Sequence, residues 1–172
     1  MRIVINTMIL IMIAALIMGG AMYRQTMQEE TALLERTRAE VDRFVREINV
    51  QRTMEQVEQS SRGYPLTIEP AWFKNGLPMN PLLNGNHPWL EIASEDQHDL
   101  NHPPDRIAVR RDQAMFWYNP ANGRLRARVP VAMSDAAALK AYNFINNSAL
   151  QDIIGDEETP IVDVPVPNRR SR

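Results

Sequence analysis

The sequence predicts an α+β protein: a long N-terminal transmembrane and amphipathic helix packed on a small antiparallel sheet, with a C-terminal helix. Three observations predict it. The first 64 residues hold no proline, and all 12 prolines lie in the remaining 108. The run from Ile3 to Met22 carries no charged side chain. Two short strand-like runs flank Asn119-Pro120-Ala121-Asn122-Gly123 and lead into a second helix start at Ser134-Asp135. The chain then divides into a tail (1–2), a transmembrane helix (3–22), an extended amphipathic helix (23–62), a small domain (63–155) and a disordered tail (156–172).

The apolar run sets location. About 20 residues at 1.5 Å rise cross a hydrocarbon core of roughly 30 Å. A lone segment in lipid must satisfy its own backbone hydrogen bonds, so it is helical. Asn6 and Thr7 are its only clearly polar members. The competing reading is a cleaved signal peptide, with Gly19-Gly20-Ala21 as the small-residue cleavage site. The weak basic start, Arg2 alone, and the absence of a turn-former after the run favour a retained anchor. A very short N-terminal tail before a large C-terminal part places the N-terminus in the cytoplasm and the domain in the periplasm, a single pass through the inner membrane.

Beyond Met22 the helix becomes charged. Met27, Leu34, Val41 and Ile48 recur every seven residues, with Thr37, Phe44 and Val45 widening the stripe. Arg36/Glu40, Arg38/Asp42, Asp42/Arg46 and Arg43/Glu47 stand one turn apart, and such pairs contribute roughly 0.2–0.5 kcal/mol each. The four heptad residues are the candidate interaction site. Two uses are open to them and can coexist: packing of the distal half, through Val41, Phe44, Val45 and Ile48, on the chain's own domain, and coiled-coil pairing of the membrane-proximal half. Gly63-Tyr64-Pro65 reads as the helix stop, glycine at the left-handed cap and proline barring continuation.

From Leu66 to His102 prolines and Asn84-Gly85-Asn86 punctuate a loop anchored by Trp72, Phe73, Leu77, Leu82, Leu83, Trp89, Leu90 and Ile92. Arg106–Arg110 reads as a short strand. Ala114–Tyr118 and Arg124–Val131 form a hairpin closed by Asn-Gly. In its second strand Leu125, Ala127 and Val129 alternate with Arg124, Arg126 and Arg128, which puts three arginines on one face. A solvated face is the plain reading, and a phosphate or acidic-partner site the sharper one. Ser134 caps a helix over about 135–146, with Asp135 at its positive end.

Composition excludes several activities. Nineteen basic against 21 acidic residues give a net charge of −2, so no global field attracts nucleic acid. The absence of cysteine excludes disulfides, thiolate catalysis and cysteine zinc sites. His98 and His102 are four apart among Asp96, Asp99 and Asp105, with His87 upstream, but Pro103-Pro104 disfavours a helix there. A metal site therefore has no fixed geometry. No phosphate loop, nucleophile elbow or HExxH pattern occurs. The sequence predicts no enzyme, no cofactor and no metal.

The order of parts, the Gly63-Tyr64-Pro65 junction and the stretch Phe116-Trp117-Tyr118-Asn119-Pro120-Ala121-Asn122-Gly123-Arg124 resemble type IV pilins and the pseudopilins of type II secretion. The resemblance covers residues 1–131. It implies a long helix seated on a small sheet and a role in a secretion or pilus-related envelope assembly. The chain departs from the family's leader: Gly19-Gly20 follows the apolar run instead of preceding it, and no acidic residue lies between Met1 and Gln28. The expected protein is thus uncleaved and non-enzymatic, with the membrane, protein partners of an envelope complex or further copies of itself as its contacts. The alternatives are a bitopic coiled-coil scaffold of the division-protein type and a small anchored metal-dependent hydrolase using His98 and His102.

Overall fold

The computed structural model describes residues 2–54, 57–83 and 85–155, with the side chains of 2–11, 14 and 15 outside that description. The expected tail at 156–172 lies outside the described residues. Helix α1 runs from Arg2 to Gln51. Five short strands follow: β1 (Leu90–Ile92), β2 (Ile107–Ala108), β3 (Phe116–Asn119), β4 (Arg124–Ala127) and β5 (Val129–Pro130), then α2 (Asp135–Asn146). The fold is α+β, with a long N-terminal helix, a small sheet and a C-terminal helix.

The helix stops 11 residues before the expected end at 62. Ile48 is the last residue of the seam that packs on the domain. Beyond it Thr53 turns its hydroxyl onto the Val50 carbonyl at 2.7 Å, a local bond that competes with the helical ladder. The Gln59 amide then donates to the freed carbonyls of Arg52 (2.9 Å) and Met54 (3.5 Å). Gly63, at φ +75°, serves a tight reversal in place of a helix cap. Ser60 N donates to Tyr64 O, and Leu66 N to Glu58 O, across that reversal.

The sheet is mixed, where an antiparallel one was expected. β3 and β4 pair antiparallel as a hairpin with Phe116 opposite Ala127 and Tyr118 opposite Leu125. β1 joins β3 in parallel, and β2 pairs β5 in parallel as a second, two-stranded sheet. Parallel pairing follows from the long connection between β1 and β3, which lets the chain return to the same end before pairing. At the turn, Gly123 has φ +72°, and a Cβ there would lie 2.2 Å from the Tyr64 ring. Only glycine fits, so the hairpin turn and the Tyr64 loop are packed on each other.

One sheet face carries Phe116, Tyr118, Leu125, Ala127 and Val129 into the core with Thr37's neighbours Val41, Phe44 and Ile48 of α1 and Ala138, Ala141, Tyr142 and Ile145 of α2. Phe44 is the hub: its ring lies 5.0 Å from Phe73, 5.2 Å from Trp89 and 5.4 Å from Phe116. Val45, expected in this contact, is 36% exposed, because the seam follows 37, 41, 44 and 48 and leaves position 45 on its flank. Trp89 stacks on Phe44 and its indole N–H donates to Pro78 O at 2.8 Å, so it anchors the loop. Leu77 and Ile92, expected as anchors, are exposed. The second helix begins as expected, with Ser134 Oγ accepting from Ala137 N.

Candidate functional site

The four candidate interaction residues separate along α1. Val41 and Ile48 are buried against the chain's own sheet, Leu34 is half-buried against the same core, and Met27 stands 47% exposed. The distal half of the seam therefore packs internally. Arg43 pairs with Glu40 at 2.7 Å, one turn back, in place of the expected Glu47, which accepts from Gln51.

Below that contact the helix carries apolar side chains that are exposed among the described residues. Met12, Ile13, Leu16 (73% exposed), Ile17, Met18, Met22 and Tyr23 all face outward. At about 100° per residue, Met12, Leu16 and Tyr23 point one way, Ile13 and Ile17 about 100° round from them, and Met18 and Met22 about 120° round to the other side. A helix that seats in a groove is apolar on one stripe, whereas a helix apolar all round needs an apolar surrounding. Among the described residues no helix is long and apolar enough to cross a membrane. The expected span at 3–22 falls in part on residues 3–11, 14 and 15, whose side chains lie outside the described residues.

The three-arginine strand is not a solvated face. Arg124 is exposed, but Arg126 and Arg128 are buried. The segment from Ala93 to Asp105 covers the second face of the sheet and turns its carbonyls inward. Arg128 donates to Asp105 O (2.7 Å) and Ala114 O (2.9 Å) and pairs with Glu91 at 2.7 Å. Arg126 donates to Asn101 O at 3.1 Å and Asn146 O at 3.3 Å. Asn119 Nδ2 reaches the carbonyls of Gln97, His98 and Leu100. Trp117 Nε1 donates to Gln97 Oε1 at 3.0 Å. Alternation at period two gave the two faces correctly. It carried no sign that a loop of backbone acceptors would cover the polar one.

The histidines do not converge. His98 is exposed. His102 is buried, with Nδ1 3.1 Å from the Tyr142 hydroxyl. Burial, reinforced by Arg126, Arg106 and Arg124, holds its pKa down at about 3 from an ordinary 6.5, so the ring is neutral. His87 Nδ1 lies 2.9 Å from the Gln113 carbonyl oxygen, to which it donates. Among the described residues no group of three His, Cys, Asp or Glu side chains is placed to hold a metal ion.

Sequence reasoning also missed Asn146. Its amide donates to Ala127 O at 2.9 Å and accepts from Ala127 N at 2.7 Å, closing the open edge of β4 as a neighbouring strand would. Comparisons with protein-family models, with curated proteins and with solved structures return no match.

Proposed function

We propose that this chain is a membrane-anchored, non-enzymatic structural protein that presents a pseudopilin-like domain to a secretion or pilus-related assembly of the cell envelope. The N-terminus lies in the cytoplasm and the domain in the periplasm of an inner-membrane, single-pass protein. One observation carries this reading: apolar side chains surround α1 between Met12 and Tyr23, on the same helix whose distal part is seated in its own domain. An apolar surround fits lipid, and the seated end makes the domain a rigid extension of the anchor.

Two features support this reading over the runners-up. A coiled-coil scaffold of the division type needs Met27 through Ile48 free for a partner helix, and Val41 and Ile48 are occupied by the chain's own core. An anchored hydrolase needs His98 and His102 on one site, and one faces solvent while the other is neutral beside Tyr142.

The absence of cysteine makes the test clean. A cysteine at Val109, which is 64% exposed, is introduced into the full chain and expressed in a Gram-negative host. A membrane-impermeant maleimide should label it in cells with a permeabilised outer membrane and an intact inner one, and carbonate should leave the protein in the pellet. Extraction by carbonate would refute the anchor. Labelling only after the inner membrane is broken would refute the orientation. A photocrosslinker at Met27 then reports the envelope partner, and adducts confined to lipid would argue against an assembly.

A further inference from the structure

Hydrogen bonds to α1 fix which end of the domain faces the apolar part of that helix. Asn80 donates to the Arg128 carbonyl at 2.7 Å and lies 3.5 Å from the Thr37 hydroxyl. At the other end the hairpin glycine, Gly123, meets the Tyr64 ring, and Arg52 lies over that ring. β4 therefore descends from the level of Arg52 to that of Thr37, toward the exposed apolar side chains. The segment before β2 descends beside it: Leu100 O meets Asn122, Asn101 O meets Arg126 and Asp105 O meets Arg128. β2 and β5 then run in parallel, with Ala108 opposite Pro130, so Val109 and Val131 come next to each other below the last pair. Gln113 N donates to Arg110 O there, and the chain turns back up into β3.

This lower rim is apolar and basic. Val109 is 64% and Val131 59% exposed. Arg110 and Arg111 are exposed beside them, and Asp112 pairs with Arg110 at 3.1 Å, which leaves one positive charge over on the turn. The rim also hangs close to the base of the stalk. Thr37 stands about 21 Å above Tyr23 at 1.5 Å rise per residue, and Arg128 to Val131 descends about 10 Å of that at roughly 3.3 Å per residue. A lipid headgroup layer of about 5–8 Å spans most of the remaining 11 Å or so. A tilt near 20° lowers a point about 10 Å off the helix axis by roughly 3 Å more. We propose that this rim docks on the anionic phospholipid surface of the bilayer that holds α1, with Val109 and Val131 in the headgroup layer and Arg110 and Arg111 on lipid phosphates. The inference rests on the membrane-anchored reading of the chain. Guanidinium matches phosphate in shape and charge. Two valines and two arginines are too few to hold a free protein on lipid, but α1 makes this second contact intramolecular, so a weak one suffices. Docking stops the domain from swinging about its anchor and turns the hairpin end away from the membrane.

A chain without cysteine takes one label per molecule. Val131→Cys and, at the far end of the domain, Arg124→Cys each carry a fluorescent maleimide, in the full chain in nanodiscs of equal parts phosphatidylglycerol and phosphatidylcholine. Both side chains are exposed, so both variants should fold. A quencher attached to the lipid headgroups should quench the label at 131 and leave the label at 124 bright. Adding Arg110→Gln and Arg111→Gln should lower the docked-to-undocked ratio by about 30-fold, two charges at about 1 kcal/mol each. Equal quenching at the two positions, in a chain that stays in the discs, overturns the docking and leaves the anchor standing. A chain that does not enter the discs overturns both. Quenching at 131 that is unchanged by the two arginine substitutions overturns the phosphate contact. Disulfide-linked dimers through the unlabelled thiol at 131, with no headgroup quenching, assign the rim to a second copy and overturn the lipid surface as its occupant.

Discussion

Phe44→Ala is the sharpest probe of whether α1 belongs to the domain. The side chain is 0% exposed. Three aromatic rings surround it, edge-on from Phe73 and Phe116 and stacked from Trp89. Truncating a buried phenylalanine costs about 3–5 kcal/mol through lost transfer energy and the cavity left behind. The surrounding rings are held by separate parts of the chain, a loop, β3 and the Trp89–Pro78 hydrogen bond, so the cavity collapses poorly and the upper half of that range applies. For a domain near 100 residues, about 4 kcal/mol lowers Tm by at least about 16 °C. Val45→Ala, on the exposed flank of the same turn, should cost under about 1 kcal/mol. Circular-dichroism melts of a fragment from Met27 to Ile154 make the comparison. A Phe44→Ala shift equal to that of Val45→Ala would show that the helix is not part of the core.

Three further outcomes are expected. Arg128→Met should cost about 3–5 kcal/mol in urea denaturation, because the Asp105 and Ala114 carbonyls lose a buried donor, whereas Glu91→Gln keeps a hydrogen bond but leaves the buried Arg128 charge without its carboxylate and should cost about 1–3 kcal/mol. Gly123→Ala should cost about 2–4 kcal/mol from the left-handed backbone and the Tyr64 clash, and adding Tyr64→Ala should relieve the clash portion, read as coupling in a double-mutant cycle. His102 has its folded pKa lowered from 6.5 to about 3 by burial first and by Arg126, Arg106 and Arg124 next. The unfolded chain binds that proton earlier, so this contribution is present above pH 6.5 and is lost as pH falls through about 3, on the order of 5 kcal/mol in all. The urea midpoint should therefore already fall between pH 6.5 and 5, and a His102→Gln variant whose midpoint falls just as much would refute the assignment.

The legible parts of the fold were those set by local chemistry. Ser134-Asp135 ahead of an apolar helical pattern located α2, and Asn122-Gly123 between aromatic and alternating runs located the hairpin. What was not legible depends on distant partners. β1 is three residues long, too short for any period, and exists because β3 pairs with it. The helix end is set by where packing stops at Ile48, while the sequence continues polar and helix-compatible to Arg62. The arginine strand was read for its side chains, but its partners are backbone carbonyls of a loop some 25 residues away in sequence. Carbonyls are common to all residues, so no residue pattern announces them. Of the candidate interaction residues, the heptad spacing identified a real seam but could not say whose surface it meets.

The helix links the two ends of the proposed function mechanically. Between Ala21 and Gln51 it contains no glycine or proline, and sharp helix kinks arise at proline, at Gly/Ser pairs or at π-bulges. Tyr23 to Thr31 is exposed, Ala32 and Leu33 are half-buried and Leu34 packs against the core, so the helix stands free for about 14 Å. Its threonines bond back to the preceding turn, Thr26 to Met22 O and Thr31 to Met27 O, and Gln25 donates to Glu29 one turn on, so its described side-chain bonds are local to the helix. An unbroken helix of that length transmits rotation and tilt, and the domain therefore takes its orientation from the apolar segment below. The one glycine pair in α1, Gly19-Gly20, has open space around both Cβ positions. Any hinge between anchor and domain is accordingly expected at Gly19-Gly20, among the outward-facing apolar residues, and not at the polar stalk, where Thr37 bonds back to Leu33 O and Asn80 donates to Arg128 O to fix the stalk's upper end.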